Sequence, residues 1–179
     1  MGRIGAAVLW AGLAVFGNLG AAVPPSHALC LGEGQPAPEF ALETLDGDVV
    51  RLSALRGKPV LLVFWATWCP RCMEQLAFLQ GLHTSLGDRL TILAVNQETQ
   101  LLSPAHVTRL RQELEGLGID LAVPLDRDLA VWKAYCIGAL PTTVILDRQG
   151  LVRFAEPNFY WASREKIETV LRDLDVPVR

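Results

Sequence analysis

The chain has 179 residues and a net charge of −3, from 16 basic and 19 acidic side chains interspersed along its length. Because no basic block is present, the sequence lacks the electrostatic footprint of a nucleic-acid-binding protein. The length beyond the N-terminal segment suits one domain with a substantial core, and no internal repeat divides it.

The first 28 residues have the pattern of a secretory signal. No charged side chain lies between Ile4 and His27, and the apolar stretch follows a single basic residue, Arg3, as in an exported precursor. A triplet with small residues at both ends finishes at Ala28, where cleavage is expected. Residues 29–179 then form the predicted domain.

Three other interpretations of the N-terminal segment remain open. The apolar run extends to Val23, about 20 residues, which is long enough to span a bilayer as an uncleaved membrane anchor. Cys30 is a candidate for lipidation, although the bulky Leu29 precedes it. The third interpretation is a buried helix, which the glycines at positions 5, 12, 17 and 20 disfavour. Signal and anchor both predict an oxidising location, in the periplasm or at the extracytoplasmic face of the membrane.

The domain opens with an extended segment, since Pro36 and Pro38 disfavour helix before them. Asp46-Gly47-Asp48 then separates two short alternating runs, which predicts a β-hairpin. The stretch VLLVFW, Val60 to Trp65, is continuously apolar and β-rich. Such a run is typical of a central strand that is buried on both faces.

Helices and strands alternate in the rest of the chain. Leucines at positions 76, 79, 82 and 86 predict a helix that Gly87 ends, and Ser103-Pro104 begins another that closes at Gly118. The remaining predicted elements are a strand at 90–96, a short helix at 128–135, a hairpin at 142–155 and a helix at 163–174. This order predicts an α/β fold, with a central mixed sheet flanked by helices and an N-terminal β-hairpin extension.

The stretch FWATWCPRCM carries two cysteines, Cys69 and Cys72, where the buried strand ends and a helix begins. A structural zinc site needs four ligands, usually from two such pairs, and the other cysteines and histidines do not occur at ligand spacing. We therefore expect no metal and no cofactor. A purely structural disulfide is also disfavoured, because so small a loop removes little entropy from the unfolded chain.

The position of the motif favours redox chemistry instead. At a helix N-terminus, unpaired N–H groups and the helix dipole stabilise a thiolate, and Arg71 adds a positive charge within one turn. Both effects are expected to lower the pKa of Cys69, the nucleophile in disulfide exchange. Cys72 is expected to be more buried and to resolve the mixed disulfide. Trp68 and Pro70 offer an apolar surface for docking a protein.

The sequence resembles the TlpA/ResA-like family of exported thioredoxin-fold reductases, within the AhpC/TSA-thioredoxin superfamily. The likeness rests on PAPEFALETLDGDVVRLSALRGKPVLLVFWATWCPRC and on YCIGALPTTVILDRQGLV, and it covers most of residues 34–174. It implies a thioredoxin-like fold and a cis peptide bond between Leu140 and Pro141, facing the cysteines and pairing with an extended substrate segment. It also implies disulfide-bearing protein partners, such as apocytochrome c or oxidase copper-site proteins, and a membrane thiol donor of electrons.

Three positions depart from related patterns. Val63 stands where thioredoxins carry a buried acid, and Ala77 replaces a proline that often kinks the first helix. Pro70 and Arg71 occupy the places between the cysteines where relatives in cytochrome c maturation often have a glutamate, so that narrower role is not carried over.

Two alternative functions and the pairing of the other two cysteines stay open. The same motif would serve a disulfide oxidase or isomerase, or a Cu(I) chaperone that uses Cys69 and Cys72 as soft ligands. Cys30 and Cys136 are a candidate structural disulfide, because an even number of cysteines in an exported protein favours pairing.

Overall fold

The computed structural model describes residues 30–98 and 103–178. The predicted signal or anchor, residues 1–28, lies outside the described residues. Within the two described ranges, every helix is too short or too polar to cross a bilayer.

A four-stranded mixed sheet forms the centre of the molecule, in the strand order β4-β3-β5-β6. Strand β3 pairs parallel with β4 and antiparallel with β5, which in turn pairs antiparallel with β6. A separate antiparallel hairpin, β1 and β2, precedes the sheet. The strands are β1 Ala41–Glu43, β2 Val49–Arg51, β3 Val60–Trp65, β4 Thr91–Asn96, β5 Thr142–Leu146 and β6 Val152–Pro157.

Four α-helices join these strands: α1 Pro70–Leu86, α2 Pro104–Gly116, α3 Ala130–Ala134 and α4 Trp161–Asp173. The α3 helix is shorter than the sequence predicts, because Leu129 takes a left-handed conformation with φ 58° and cannot continue a helix. The α4 helix begins two residues earlier than predicted. Ser163 lies inside its first turn, where its hydroxyl accepts a hydrogen bond from the Tyr160 N–H at 3.1 Å.

Both faces of the sheet are buried, as the apolar run of β3 predicts. All six residues of β3 are buried, and their side chains alternate between the two faces. One set, including Leu61 and Val63, packs with apolar side chains of α1, α2 and α4. The other, including Leu62 and Phe64, packs with α3 and the segment before β3. The sheet therefore lies between two hydrophobic cores.

The N-terminal extension is held along the edges of this sheet. The Gly34 N–H donates to the carbonyl of Val152 at 2.7 Å, and the Leu45 N–H donates to the carbonyl of Val123 at 2.8 Å. Residues 122–125 in turn form isolated parallel bridges to β4. The predicted hairpin is thus present and packs on the domain as part of it.

The strand register brings two loops to the same end of the sheet. Strand β3 ends at Trp65, and the antiparallel β5 begins with Thr142 opposite Phe64. The segment that follows β3 and the residues that precede β5, including Pro141, therefore lie at one edge. The cysteine motif is in the first of these loops.

Candidate active site

Cys69 is the N-cap residue of α1, and Pro70 occupies the first turn. Its backbone is extended, and its sulfur accepts a hydrogen bond from the Cys72 N–H at 3.2 Å. The same N–H also donates to the Cys69 carbonyl at 3.0 Å, so the sulfur and the carbonyl of the N-cap residue share it. A proline is well tolerated there because the N–H it lacks would be unpaired in any case.

The two motif cysteines form a disulfide, with their Cα atoms 5.2 Å apart. Cys72 has no exposed surface, whereas Cys69 keeps 7% exposure. An attacking group can therefore reach the pair only from the side of Cys69. Once the pair is reduced, the positive end of the 17-residue helix favours the thiolate form at the same residue.

The Arg71 side chain extends toward the segment between β6 and α4. Its guanidinium lies over the Tyr160 ring, 4.9 Å from the centroid, and Nη1 donates to the Phe159 carbonyl at 3.4 Å. The effect of Arg71 on the charge of Cys69, expected from the sequence, stays a prediction. The structure adds a contact that joins the motif to a segment 88 residues away.

The loop between β3 and Cys69 is anchored by a buried carboxylate, Glu98. Its Oε2 accepts from the Thr67 N–H at 2.8 Å and its Oε1 from the Thr67 hydroxyl at 2.7 Å. The Asn96 side-chain amide also donates to Oε2, at 3.0 Å. Glu98 was not among the site residues predicted from the sequence. The available signal was its position just beyond β4, since polar residues at the carboxyl ends of neighbouring parallel strands meet at one edge.

The Leu140–Pro141 peptide bond is cis, as the family resemblance implies. The Pro141 carbonyl accepts from the Asn158 N–H at 2.6 Å. Within the described part of the chain, the backbone N–H and carbonyl of Leu140 have no hydrogen-bond partner. That leaves one donor and one acceptor available to an extended segment at this edge.

A neutral polar pair lies beneath the motif. Gln75, one turn beyond Cys72, is fully buried, and its side-chain amide donates to the Thr143 hydroxyl at 2.5 Å. Thr143 pairs with Val63 across the sheet. The interior next to Val63 therefore holds an amide and a hydroxyl where thioredoxins carry an acid.

Comparisons with known proteins identify the family of the chain. The AhpC/TSA family model matches residues 33–155. The thioredoxin-like protein YneN of Bacillus subtilis is 36% identical over 122 residues, 68% of this chain and 69% of that protein. The chain belongs to the AhpC/TSA family. The thiol-disulfide oxidoreductase ResA of Geobacillus kaustophilus is also 36% identical, over 121 residues that make up 67% of this chain and 66% of ResA.

A solved structure gives the same fold. The exposed lipoprotein thioredoxin of Streptococcus pneumoniae superposes with a TM-score of 0.65 and 28% identity, over 76% of this chain and all of that one. The predicted TlpA/ResA-like resemblance and thioredoxin-like fold are confirmed. As a member of the AhpC/TSA family with named oxidoreductase relatives, the chain is a thiol-disulfide oxidoreductase.

The second pair of cysteines lies on the other face of the sheet. Cys30 and Cys136 are joined by a disulfide with Cα atoms 5.4 Å apart, a spacing within the usual range. Their neighbours Leu31 and Ile137 belong to the core opposite the one that contains Cys69. We propose that this bridge is structural, because it ties the N-terminal extension to the end of α3.

No group of three or more histidine, cysteine, aspartate or glutamate side chains in residues 30–98 and 103–178 is arranged to hold a metal ion.

Proposed function

We propose that the protein is an exported reductase of disulfides in extracytoplasmic proteins. The observation that carries this proposal is the placement of Cys69 as the helix N-cap, with its sulfur facing the Cys72 N–H and Cys72 fully buried. This arrangement supports different roles for the two sulfurs. The Cys69 sulfur is reachable and ionises, whereas the Cys72 sulfur stays a buried thiol until it attacks the mixed disulfide.

The exchange proceeds in two balanced steps. The Cys69 thiolate attacks one sulfur of the substrate disulfide, a mixed disulfide forms, and the other substrate sulfur leaves as a thiolate that takes up a proton. The Cys72 thiol then loses its proton and attacks the Cys69 sulfur. The second substrate thiol is released, and the Cys69–Cys72 disulfide remains. Two electrons have passed from the protein to its substrate.

The surroundings of Cys69 support a protein substrate. Trp68 is 67% exposed directly beside the nucleophile, and Pro70 is also exposed. The unpaired backbone of Leu140 next to Pro141 suits an extended chain, which would pair with it as an added strand. By family resemblance, apocytochrome c and the copper-site proteins of respiratory oxidases are substrates of this kind.

The proposed function also requires an extracytoplasmic location and a source of electrons. The predicted signal or membrane anchor at residues 1–28 supports an extracytoplasmic location, and the similar pneumococcal thioredoxin is described as an exposed lipoprotein. In such a compartment the oxidised pair has to be reduced again by a dithiol donor. We propose a membrane thiol protein for that step, in line with the family resemblance.

Trapping of the mixed disulfide tests the proposal. The Cys72→Ser variant lacks the resolving sulfur and should accumulate disulfide-linked complexes through Cys69, which mass spectrometry identifies. Cys69→Ser is the matched control and should capture nothing. Absence of complexes in the first variant, or equal capture by both, would overturn the mechanism.

The direction of transfer is tested by equilibration with glutathione. Thioredoxin has a potential of about −270 mV, and a strong oxidant about −120 mV. A value near the first supports a reductase, and a value near the second would assign the alternative role of oxidase or isomerase. Stoichiometric retention of Cu(I) after dialysis, together with failure to reduce insulin, would assign a copper chaperone instead.

A further inference from the structure

We propose that the substrate segment beside the scissile disulfide carries an acidic residue, which an aromatic and cationic rim next to Cys69 recognises. The rim is defined by Trp68 and Arg71 of the motif together with Tyr160, Trp161 and Arg164 at the start of α4. The inference rests on the proposed function, because it assigns a substrate class to the same site.

The rim contains a large aromatic surface whose exposure to water is energetically unfavourable. Among the large hydrophobic side chains that are exposed in the described residues, three belong to it: Trp68 at 67%, Tyr160 at 51% and Trp161 at 81%. Tryptophan, tyrosine and arginine are the residue types that dominate binding energy in protein interfaces. Trp68 directly precedes the nucleophile, and Tyr160 contacts Arg71 of the motif. Exposed aromatic side chains at these positions are best explained by a partner that covers them.

The backbone of the rim is fixed before any partner binds. The Tyr160 N–H donates to the Ser163 hydroxyl at 3.1 Å, which holds the start of α4. The Asn158 N–H donates to the Pro141 carbonyl at 2.6 Å, and the Arg71 contact with the Phe159 carbonyl joins the same segment to the motif. Such preorganisation reduces the entropy lost when a substrate docks.

Among the residues that the structure describes, two guanidinium groups of the rim form no salt bridge with a carboxylate. Arg71 lies over the Tyr160 ring, and Arg164 lies 5.3 Å from the centroid of Phe78 and 5.7 Å from that of Phe159. The ion pairs of the described residues use other side chains. Both charges therefore remain available to an incoming acid.

Charge complementarity indicates that the substrate side chain at the rim is acidic. A cation that is stacked on an aromatic ring keeps its outward N–H groups free, and a carboxylate is the protein acceptor that matches a guanidinium fork. The acidic residue takes no part in the exchange of electrons. It orients the substrate so that its disulfide meets the reachable side of Cys69, and the two-step chemistry is unchanged.

Two synthetic peptides test the inference. Each carries one intramolecular disulfide and the same sequence, except that glutamate or glutamine flanks the first cysteine. With the reduced wild-type protein, stopped-flow tryptophan fluorescence should give a rate constant about threefold higher for the glutamate peptide. The preference should vanish at about 0.5 M salt, where charges on a surface are screened.

Variants on α4 distinguish the effect of the positive charge on peptide reduction from the effect of the aromatic side chain. Arg164→Gln should lose most of the preference, whereas Arg172→Gln should keep it. The latter removes the same charge two turns further along the helix, where Arg172 pairs with Glu168 at 3.2 Å. Trp161→Ala should slow both peptides equally. Equal rates for the two peptides in the wild type, or an unchanged preference in Arg164→Gln, would overturn the inference.

A small neutral disulfide distinguishes failure of the inference from failure of the proposed function. Hydroxyethyl disulfide makes no use of the rim, so its reduction by the wild type and by the control Arg172→Gln measures the exchange chemistry alone, and the two rates should be equal. If the wild type reduces it without any peptide preference, the acidic substrate class is wrong and the reductase proposal stands. If neither it nor the peptides are reduced, the proposed function itself fails.

Discussion

Glu98 accepts two hydrogen bonds from Thr67, one from its backbone N–H and one from its hydroxyl. The carboxylate is only 7% exposed and lies beyond the end of β4, while Thr67 lies in the loop that leads to Cys69. Hydrogen bonds to a charged group contribute about 1.5–3 kcal/mol each. This contact thus fixes the approach to the nucleophile from a neighbouring strand.

Removal of that anchor should loosen the loop. We expect Glu98→Ala to increase hydrogen exchange at the Thr67 amide and to lower the free energy of unfolding by about 2–3 kcal/mol. Glu98→Gln keeps one acceptor oxygen and should fall between this variant and the wild type. Glu165→Ala, an exposed acid on α4, is the control. Unchanged protection at Thr67 in Glu98→Ala would show that the loop is held by other contacts.

Much of the fold follows from local pattern, since β3 and α1 each carry their own signal. Six consecutive buried residues in β3 and the leucine stripe of α1 show up as apolar periodicity, and the ends of α1 carry a proline and a glycine. These signals are sufficient to place Cys69 at a helix N-terminus. The turn before α3 was not predictable in this way, because Leu129 is not a residue type that usually adopts a left-handed conformation.

The surroundings of the motif depend on contacts between distant segments. The pairing of Thr67 with Glu98 requires β4 to lie beside β3, and the contact of Arg71 with Tyr160 spans most of the domain. No spacing rule relates such positions before the sheet order is known. The sequence thus predicts the reacting sulfurs, and the tertiary structure is needed to identify what surrounds them.

The ionisation of Cys69 is the second prediction. In the Cys72→Ser variant only Cys69 remains of the motif, and thiolate absorbance near 240 nm reports its titration. The helix N-terminus should bring the midpoint below the ordinary cysteine value of about 8.5. Cys30 and Cys136 are joined in a disulfide and contribute no thiolate signal. A midpoint equal to that of free cysteine would remove the basis for Cys69 as the attacking group.

The Cys30–Cys136 bridge gives a third prediction. It closes a loop with a sequence separation of 106 residues, and cross-linking so long a loop removes a large part of the unfolded chain's entropy. The double variant Cys30→Ala, Cys136→Ala should lose about 3–5 kcal/mol in denaturant unfolding, with the motif disulfide intact. The rate of reaction with hydroxyethyl disulfide should not change. Equal stability, together with free thiols in the wild type, would show that the pair does not form.

Asp147 gives the final prediction, on pH and stability. It is 4% exposed in the turn between β5 and β6. Burial opposes its ionisation, but hydrogen bonds from the Leu151 N–H, the Arg153 guanidinium and the Gln149 N–H outweigh it and hold the pKa below the ordinary carboxyl value. A carboxyl whose pKa is lowered by folding stabilises the native state above the pKa of the unfolded chain.

That stabilisation is lost as the pH falls through the lowered folded-state pKa. Asp147→Asn should therefore reduce the free energy of unfolding by about 1–3 kcal/mol at pH 7, and its difference from the wild type should shrink below about pH 4. Asp175→Asn is the matched control. That acid is 88% exposed and pairs with Arg148 at 3.8 Å, so its loss should change stability by less than about 0.5 kcal/mol. A difference for Asp147→Asn that stays constant from pH 7 to pH 3 would mean that the contribution of this residue does not depend on its charge.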